Sequence, residues 1–522
     1  MNLKDGDKIM YSKKSIAFFL VLLCMLFFTP SFLSGNCFTV LVGKKASADG
    51  AVLFGHNEQN RGRRIINYRY IPRMKYKAGD QVILKNGGTL PQVEETYAIL
   101  WLQNPGVQFG DSYFNEWGVV VSSDACPTRE DSNDELMKRE DITDGGIGYM
   151  LRRLVAQRAK SAREGVKIAG ELLNKFGYTS SGRSLVIAGP NEAWVLAIAR
   201  GKHWIAQRCP DDEVVLLPNI HIIGAEADIN DTENVMASPG LVEYAAKRGW
   251  YDLSEGKPFS FKKHFCPSPW EGSFRDKYGV DPRQWYAQSM VKGEPIPLGT
   301  VTELPFSVKP GKKMTIKDVA GILRSHLEGT EFDTTVGYEK GSPHKIESEA
   351  ARICGPTTQE GAVYQLRSWM PLEIGCVVWR SLAAPCSSVL TPWYLGMDEM
   401  PAHYFKPGDI AEELDLKTHF DYPQERFDFD PDFAFDVFNE LENLVDINYK
   451  EAIKIVRAEW DLFEDQQFAV QSALEETAIK LYKKDKKRAK EFLTDYSLSR
   501  ANLAFSKAKQ LVNRLKTLFW RF

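Results

Sequence analysis

The chain has 522 residues, of which 43% are hydrophobic, 12% aromatic and 26% charged. These proportions are typical of globular proteins, and they exclude a disordered chain, a collagen-like fibre and a polytopic membrane protein. The net charge is −3, so no basic excess is available to neutralise a phosphate backbone. We therefore expect no nucleic-acid partner.

The first 36 residues have the order of an export signal. Two lysines precede an apolar run over residues 16–28, and Thr29 and Pro30 end that run. Its 13 residues fall short of the roughly 20 that span a bilayer, although a retained membrane anchor stays open as the alternative. Loss of residues 1–36 removes four lysines and two aspartates, which changes the net charge to −5. We expect an extracytoplasmic protein, periplasmic or secreted, that meets the membrane only during export.

The next predicted elements are strands around one helix. Residues 37–42 and 51–55 predict a β-hairpin with a turn between them. Further strands are predicted at 97–101, 119–122, 184–188, 193–199, 202–207, 213–217, 363–366, 375–379 and 388–392. Apolar residues that recur at three and four positions predict one helix over about 147–176, with Gly177 as its C-cap. Antiparallel spacing on both sides of a helix predicts an α+β domain.

The second half of the chain is less regular. Residues 225–345 are rich in loops, and we interpret them as irregular insertions that contain short helices. An acidic linker at Phe427–Asp432 precedes a region whose apolar stripes predict helices to the C terminus. We therefore divide the mature chain into a main domain over 37–430 and a helical region over 431–522 that packs on it.

The cysteines and histidines form no recognisable metal motif. No two of the eight cysteines have C-x-x-C spacing, and none of the eight histidines belongs to an H-E-x-x-H sequence. We expect neither a metal nor a cofactor. Without Cys24 and Cys37, six cysteines remain, a number that permits disulfides without requiring them.

Cys37 is the residue at which chemistry is expected, because it stands where the signal ends and the first strand begins. Cleavage directly before it would leave a thiol and a free α-amine on one residue. The ordinary pKa values of these two groups lie close together, so the amine can accept the thiol proton. A small buried hydrophobic residue at a strand start is the alternative interpretation, and position alone leaves both open.

The segment from Cys37 to Gly50, CFTVLVGKKASADG, resembles the mature start of the dipeptidase A type cysteine dipeptidases, relatives of the secernins. The resemblance continues, in order, through most of the mature chain. It includes the segments 115–119, 151–176, 192–194, 201–204, 210–212, 217–219, 379–380, 388–394 and the helical tail.

This resemblance implies an N-terminal-nucleophile hydrolase with a four-layer αββα sandwich. It implies that the Cys37 thiolate attacks a dipeptide carbonyl, that its own α-amine carries the proton, and that a thioester forms. By similarity to the wider fold group, Asn219 is the candidate donor to the oxyanion, with a turn residue after Pro218 as the alternative. Asn115 is interpreted as structural, capping a turn before Gly118.

Two departures from the family pattern affect the site. Relatives have an Arg and an Asp, three residues apart, after the first hairpin, whereas this chain has His56 and Gln59. Glu58 either supplies the carboxylate that holds the Cys37 ammonium or is a solvated charge. His56 either supports the thiolate electrostatically or caps the strand. Asn36 is unusual before a signal-peptidase cut, so self-cleavage of a short propeptide by Cys37 stays open.

Three functions remain in view. The first is an exported cysteine dipeptidase that acts on small peptides. The second is an amidase or acylase that acts on N-acylated small molecules, and the third is a catalytically inactive surface protein that keeps the fold for binding. An acylase requires an apolar acyl pocket and a dipeptidase requires a carboxylate for the substrate amine, a distinction the sequence does not make. The sequence also leaves a homo-oligomer open.

Overall fold

The computed structural model describes residues 36–62, 64–269, 271–335, 342–344 and 350–519. The predicted export signal, apart from Asn36, lies outside these residues. The described part of the chain, including the C-terminal helices, belongs to one compact unit. None of its helices combines the length and apolar composition needed to cross a bilayer.

Nineteen strands are present in the described ranges. They are β1 (Phe38–Val42), β2 (Val52–Gln59), β3 (Asn67–Ile71), β4 (Met74–Lys75), β5 (Gln81–Ile83), β6 (Thr89–Pro91), β7 (Glu95–Thr96), β8 (Ile99–Gln103), β9 (Ser112–Asn115), β10 (Val120–Ala125), β11 (Arg183–Ala188), β12 (Ala193–Ile198), β13 (Trp204–Arg208), β14 (Val214–Leu217), β15 (Val235–Ala237), β16 (Ser307–Val308), β17 (Thr358–Leu366), β18 (Cys376–Leu382) and β19 (Thr391–Tyr394). The predicted hairpins β1–β2 and β12–β13 are confirmed.

The same ranges contain fourteen α-helices. They are α1 (Asn133–Lys138), α2 (Met150–Arg158), α3 (Ala162–Phe176), α4 (Leu241–Lys247), α5 (Phe261–Phe265), α6 (Phe274–Tyr278), α7 (Pro282–Lys292), α8 (Ile316–Leu323), α9 (Leu372–Gly375), α10 (Ile410–Leu414), α11 (Leu416–Phe420), α12 (Ala434–Ile447), α13 (Tyr449–Lys484) and α14 (Lys486–Phe519). Helices α4 to α8 lie in the region 225–345, which also adds β15 to one sheet and β16 to the other.

Two large antiparallel sheets form the centre of the fold. The first has the order β16-β14-β1-β2-β17-β18-β19, and the second has the order β15-β13-β12-β11-β10-β9-β8-β3. In β1, Leu41 faces the second sheet and packs with residues such as Phe114 and Val186. Its neighbours Val40 and Val42 face the opposite way, where they pack against residues of α7 and α8. Strand alternation therefore gives the first sheet two buried faces.

Helices cover the outer face of each sheet. Helices α2 and α3 bury their apolar residues against β10, β11 and β12 of the second sheet. Helices α7 and α8 pack on the first sheet, and Gly55 of β2 permits their close approach, because a Cβ there would lie 2.4 Å from Val319 Cγ1. The layer order is therefore helix, sheet, sheet, helix, which confirms the predicted α+β, four-layer αββα sandwich.

The helix predicted over 147–176 is two helices. Ala159 is extended, with φ −90° and ψ 134°, and Ser161 caps α3 by accepting a hydrogen bond from the Glu164 N–H. The apolar periodicity continues across this break, which is why the sequence predicts one element. Gly177 ends α3 with φ 73°, as predicted, and its N–H donates to the Leu173 carbonyl.

The C-terminal helices are joined to the first sheet by a buried ion pair. Arg367, just after β17, makes two hydrogen bonds to Glu475 of α13, with distances of 2.7 and 2.6 Å. The Tyr394 hydroxyl donates to the same carboxylate at 3.0 Å. All three side chains are buried, so this helix is held to the sheet by charged as well as apolar contacts.

Candidate functional site

Cys37 lies directly before β1, and its side chain faces the space between the two sheets. It is only 5% exposed. The Gln59 N–H donates to its Sγ at 3.4 Å, and Sγ lies 3.8 Å from Glu58 Oε1. Burial raises the pKa of the thiol well above its ordinary value, and the nearby Glu58 and Asp124 carboxylates raise it further. With the Asn36–Cys37 peptide bond intact, the thiol therefore stays protonated at neutral pH.

Glu58 and Gln59 point to opposite faces of β2. The Glu58 carboxylate accepts a hydrogen bond from Asn60 Nδ2 at 2.6 Å, and its Oε2 is buried without a partner among the described residues. Gln59 donates instead to the Ile353 carbonyl at 2.7 Å, on the helix-covered face. β2 runs to Gln59, four residues beyond its predicted end. Glu58 is consequently the carboxylate that faces the thiol, and it is not a solvated charge.

His56 also faces the space between the sheets, where it meets Asp124 of β10. Its Nε2 lies 3.9 Å from Asp124 Oδ1, and Thr39 Oγ1 donates to Asp124 Oδ2 at 2.8 Å. Burial lowers the pKa of His56 to about 3, with a further contribution from Arg152. Because β2 continues to Gln59, His56 lies inside the strand and does not cap it, so that interpretation is wrong. Electrostatic support of the thiolate by His56 stays a prediction, and the lowered pKa leaves the imidazole neutral in the uncleaved chain.

Asn219 is linked to the Cys37 backbone through Arg283 of α7. Arg283 Nη1 donates to Asn219 Oδ1 at 3.0 Å, to the Cys37 carbonyl at 3.2 Å and to the Asn36 carbonyl at 2.8 Å. Asn219 Nδ2 is buried and has no hydrogen-bond partner within the described ranges. A buried amide donor left without a partner is suited to an oxygen that appears only during a reaction.

Two further arginines lie near the site on the helix-covered face of the second sheet. Arg152 Nη1 and Arg183 Nη1 both donate to Ser123 Oγ, at 2.9 and 3.1 Å, and Ser123 points away from the face that carries Asp124. Arg152 also donates to the carbonyls of Phe109 and Asp111. Arg152 and Arg183 are both buried. Burial raises the pKa of Glu58 to about 8, although both arginines lower it. The two arginines therefore act on the Glu58 carboxyl electrostatically.

Sequence patterns and the family resemblance pointed to Cys37, His56, Glu58 and Asn219 but not to the three arginines or Asp124. A local signal existed for Arg152, because a charged residue inside an apolar helical pattern requires a buried partner. Arg283 gave no such signal, since it lies 246 positions from Cys37 in the loop-rich region. Asn115 is structural, as predicted, because its Oδ1 accepts hydrogen bonds from the N–H groups of Trp117 and Val119.

Three groups of described side chains have donor atoms close enough to hold a metal ion. In the site described here, the donor atoms of Cys37, His56 and Glu58 lie within 4.8 Å of one another. The second group contains His326, His344, Cys354 and Cys386, and the third, which shares His344 with it, contains His344, Glu442 and Asp446. The use of Cys37 as a nucleophile requires its sulfur to be unligated.

Comparison with known proteins identifies one family. The model of peptidase family C69 matches residues 36–460. A probable dipeptidase of Latilactobacillus sakei is 27% identical over 74% of this chain and 78% of its own, and one of Salmonella dublin is 28% identical over 72% and 83%. A dipeptidase of Bifidobacterium longum is 27% identical over 70% and 72%. These matches confirm the resemblance to dipeptidase A type enzymes.

Among solved structures, a cysteine-to-alanine mutant of the conjugated bile acid hydrolase from Clostridium perfringens is similar at 13% identity, with a TM-score of 0.28, over 66% of this chain and 89% of that chain.

Proposed function

Because the chain belongs to peptidase family C69 and is therefore a peptidase, we propose that it hydrolyses dipeptides with the Cys37 thiol as nucleophile. The observation that carries the proposal is the arrangement around this residue. Its sulfur faces Glu58, while Arg283 holds its carbonyl and also positions Asn219, whose amide is buried without a partner in the described structure.

The reaction requires the Cys37 nitrogen to be an amine. Once the bond to Asn36 is cleaved, this amine takes the thiol proton while Sγ attacks the scissile carbonyl carbon. Asn219 Nδ2 donates to the resulting oxyanion, a contribution worth roughly 3–4 kcal/mol. The amine returns the proton to the leaving nitrogen as the C–N bond breaks. Water then attacks the thioester, the C–S bond breaks, and the thiol is restored.

Glu58 supports this cycle as the partner of the Cys37 ammonium. Burial raises its carboxyl pKa to about 8, and the two arginines offset that rise only in part. A positive ammonium within hydrogen-bond distance would lower that pKa and keep the carboxylate charged. The Arg-to-His and Asp-to-Gln departures therefore leave a carboxylate beside the nucleophile, which argues against the catalytically inactive alternative.

The charges near the site favour a dipeptide over an N-acylated small molecule. A dipeptide carries an ammonium and a carboxylate. The Asp124 carboxylate lies between the sheets, and Arg152 and Arg183 lie close enough to lower the pKa of Glu58. Charges of both signs are therefore available near Cys37 for a substrate with two charged ends, whereas an acylase requires an apolar acyl pocket.

A dipeptide panel with free and acetylated amines tests the proposal. We expect turnover of the free dipeptides only, with activity lost in Cys37→Ala and kept in Cys209→Ala. The control fits because Cys209 is another buried free cysteine, and its thiol contacts the carbonyls of Pro210 and Glu213. Equal turnover of acetylated peptides would favour the acylase, and activity in Cys37→Ala would overturn the nucleophile assignment.

Export and exposure of Cys37 are part of the same proposal. Arg283 polarises the Asn36 carbonyl, which is the group that Cys37 would attack in self-cleavage. That attack breaks the Asn36–Cys37 bond, passes the thiol proton to the new amine, and leaves a thioester for water to hydrolyse. N-terminal sequencing of wild type and Cys37→Ala distinguishes the routes, since a signal peptidase would process the variant as readily as the wild type.

A further inference from the structure

Four metal-binding side chains converge at a second buried place, outside the nucleophile site. His326 follows α8, His344 lies between α8 and β17, Cys354 precedes β17, and Cys386 follows β18. All four side chains are buried, with exposed fractions of 1%, 4%, 0% and 4%. Their donor atoms lie within 4.8 Å of one another.

We propose that His326, His344, Cys354 and Cys386 bind one zinc ion in a tetrahedral structural site. Two imidazole nitrogens and two thiolates are a common ligand set for structural Zn²⁺. The combination of nitrogen and sulfur donors with no carboxylate among the four favours zinc over calcium, magnesium or manganese.

The distances between the donor atoms match the edges of such a tetrahedron. Bonds of about 2.0–2.1 Å to nitrogen and about 2.3 Å to sulfur give edges of about 3.3 Å between nitrogens and about 3.5 Å between nitrogen and sulfur. His326 Nε2 lies 3.2 Å from His344 Nε2. The same His344 atom lies 3.6 Å from Cys386 Sγ and 3.7 Å from Cys354 Sγ.

Hydrogen bonding alone does not account for this cluster. His344 Nε2 has three polar neighbours, although a ring nitrogen carries either one proton or one lone pair. It can therefore satisfy only one of them in a buried space. A cation at the centre would take a lone pair from each of the four donors at once.

The outward-facing nitrogens of both histidines point toward carboxylates. His326 Nδ1 lies 3.0 Å from Glu328 Oε1. His344 Nδ1 lies 3.3 Å from Asp446 Oδ1 and 3.7 Å from Glu442 Oε1, both on α12. Carboxylates behind metal-binding histidines fix the ring orientation and raise the basicity of the ligand nitrogen. Both rings therefore present Nε2 to the same point.

The zinc ion would stabilise the strand that carries Glu58. Cys354 is adjacent to Ile353, whose carbonyl accepts hydrogen bonds from Asn57 at 3.1 Å and from Gln59 at 2.7 Å. These residues flank Glu58 in β2. A metal that fixes Cys354 therefore fixes the carbonyl that anchors this end of β2, so the ion acts on the nucleophile site through position only.

Metal analysis of the purified full chain tests the proposal. We expect about one equivalent of zinc per chain in wild type, which chelation removes and added zinc restores. Replacement by Co²⁺ should give the intense visible bands of tetrahedral cobalt together with thiolate-to-cobalt charge transfer. These readouts do not depend on peptidase activity, so they can succeed or fail separately from the proposed function.

Variants locate the ion. Cys37→Ala and Cys209→Ser should keep the full zinc content. In the double variant Cys354→Ser, Cys386→Ser the bound zinc should fall at least about tenfold. Retention in the double variant with loss in Cys37→Ala would move the metal to the nucleophile site and overturn the proposal. If the double variant does not fold, the zinc content and the cobalt spectrum of the wild-type protein still test the proposal. No bound zinc after loading, no charge-transfer band, or a Cys354–Cys386 disulfide by non-reducing mass analysis would each overturn it.

Discussion

The surroundings of Cys37 differ from those of Cys354 and Cys386, although all three cysteines are buried near histidine. Cys37 faces a carboxylate and stands close to a buried amide without a hydrogen-bond partner in the described structure. Cys354 and Cys386 face each other and the Nε2 atoms of two histidines. This contrast in surroundings is the basis on which we propose a nucleophile at Cys37 and zinc ligands at Cys354 and Cys386.

The largest expected effect is a difference in activity between variants of Cys37 and variants of the proposed zinc ligands. Cys37→Ala should reduce kcat/KM for dipeptides by at least about 10³-fold, because the nucleophile is lost, with little change in Tm. Cys354→Ser with Cys386→Ser should lower Tm clearly and reduce kcat/KM of the folded fraction by no more than about tenfold. Steady-state kinetics and thermal unfolding on both variants check this. An equal loss of activity in folded samples of both would contradict the distinction.

Asn219→Ala gives the next largest effect. Removal of an oxyanion donor should lower kcat by about 10²–10³-fold and leave KM nearly unchanged, since the hydrogen bond forms only in the transition state. Asn174→Ala is a suitable control because Asn174 of α3 accepts a hydrogen bond from Trp204 Nε1 on the helix-covered side of the second sheet. A rise in KM with unchanged kcat would assign Asn219 to substrate binding instead.

A smaller effect is expected for the carboxylate. Glu58→Gln should reduce kcat/KM by about 10²-fold, because the Cys37 ammonium loses its counterion. Addition of Gln59→Glu should not restore activity, since that side chain points to the Ile353 carbonyl on the other face of β2. Rescue by the second substitution would show that the two positions share one face.

The smallest effect is a change of stability with pH in the uncleaved protein. Burial raises the pKa of Glu58 from 4.5 to about 8, so the folded state holds a proton that the unfolded chain releases. Stability from this group is present at low pH and is lost as the pH rises from 4.5 through about 8. In uncleaved Cys37→Ala, Glu58→Gln should remove about 1–3 kcal/mol of this pH dependence. Denaturant unfolding of both proteins at pH 5 and 8 measures this difference. An equal change in the free energy of unfolding between the two pH values in both proteins would contradict the assignment.

Local sequence patterns predicted the elements that local physics determines. The β1–β2 hairpin follows from apolar runs around a turn, and the α3 terminus follows from Gly177 at positive φ. The break at Ala159 was missed, because apolar spacing continues through it while the cap at Ser161 interrupts the backbone.

The sites could be predicted only as far as neighbouring residues define them. Glu58 lies near Cys37 because one hairpin connects them, and a known family pattern drew attention to its position. Arg283 and the ligand group of His326 and Cys386 depend on contacts between distant segments, which no spacing rule specifies. The predicted absence of a metal rested on short sequence motifs. Such motifs cannot detect candidate ligands that come from distant segments and meet only in the tertiary structure.

The buried ion pair between Arg367 and Glu475 bears on how much of the chain beyond the family match a stable protein needs. The family match stops at residue 460, fifteen positions before that glutamate. A protein shortened to the matched segment would lose this ion pair together with most of α13 and all of α14. We therefore expect such a truncation to expose apolar surface of the first sheet that these helices bury and to lower the stability of the protein.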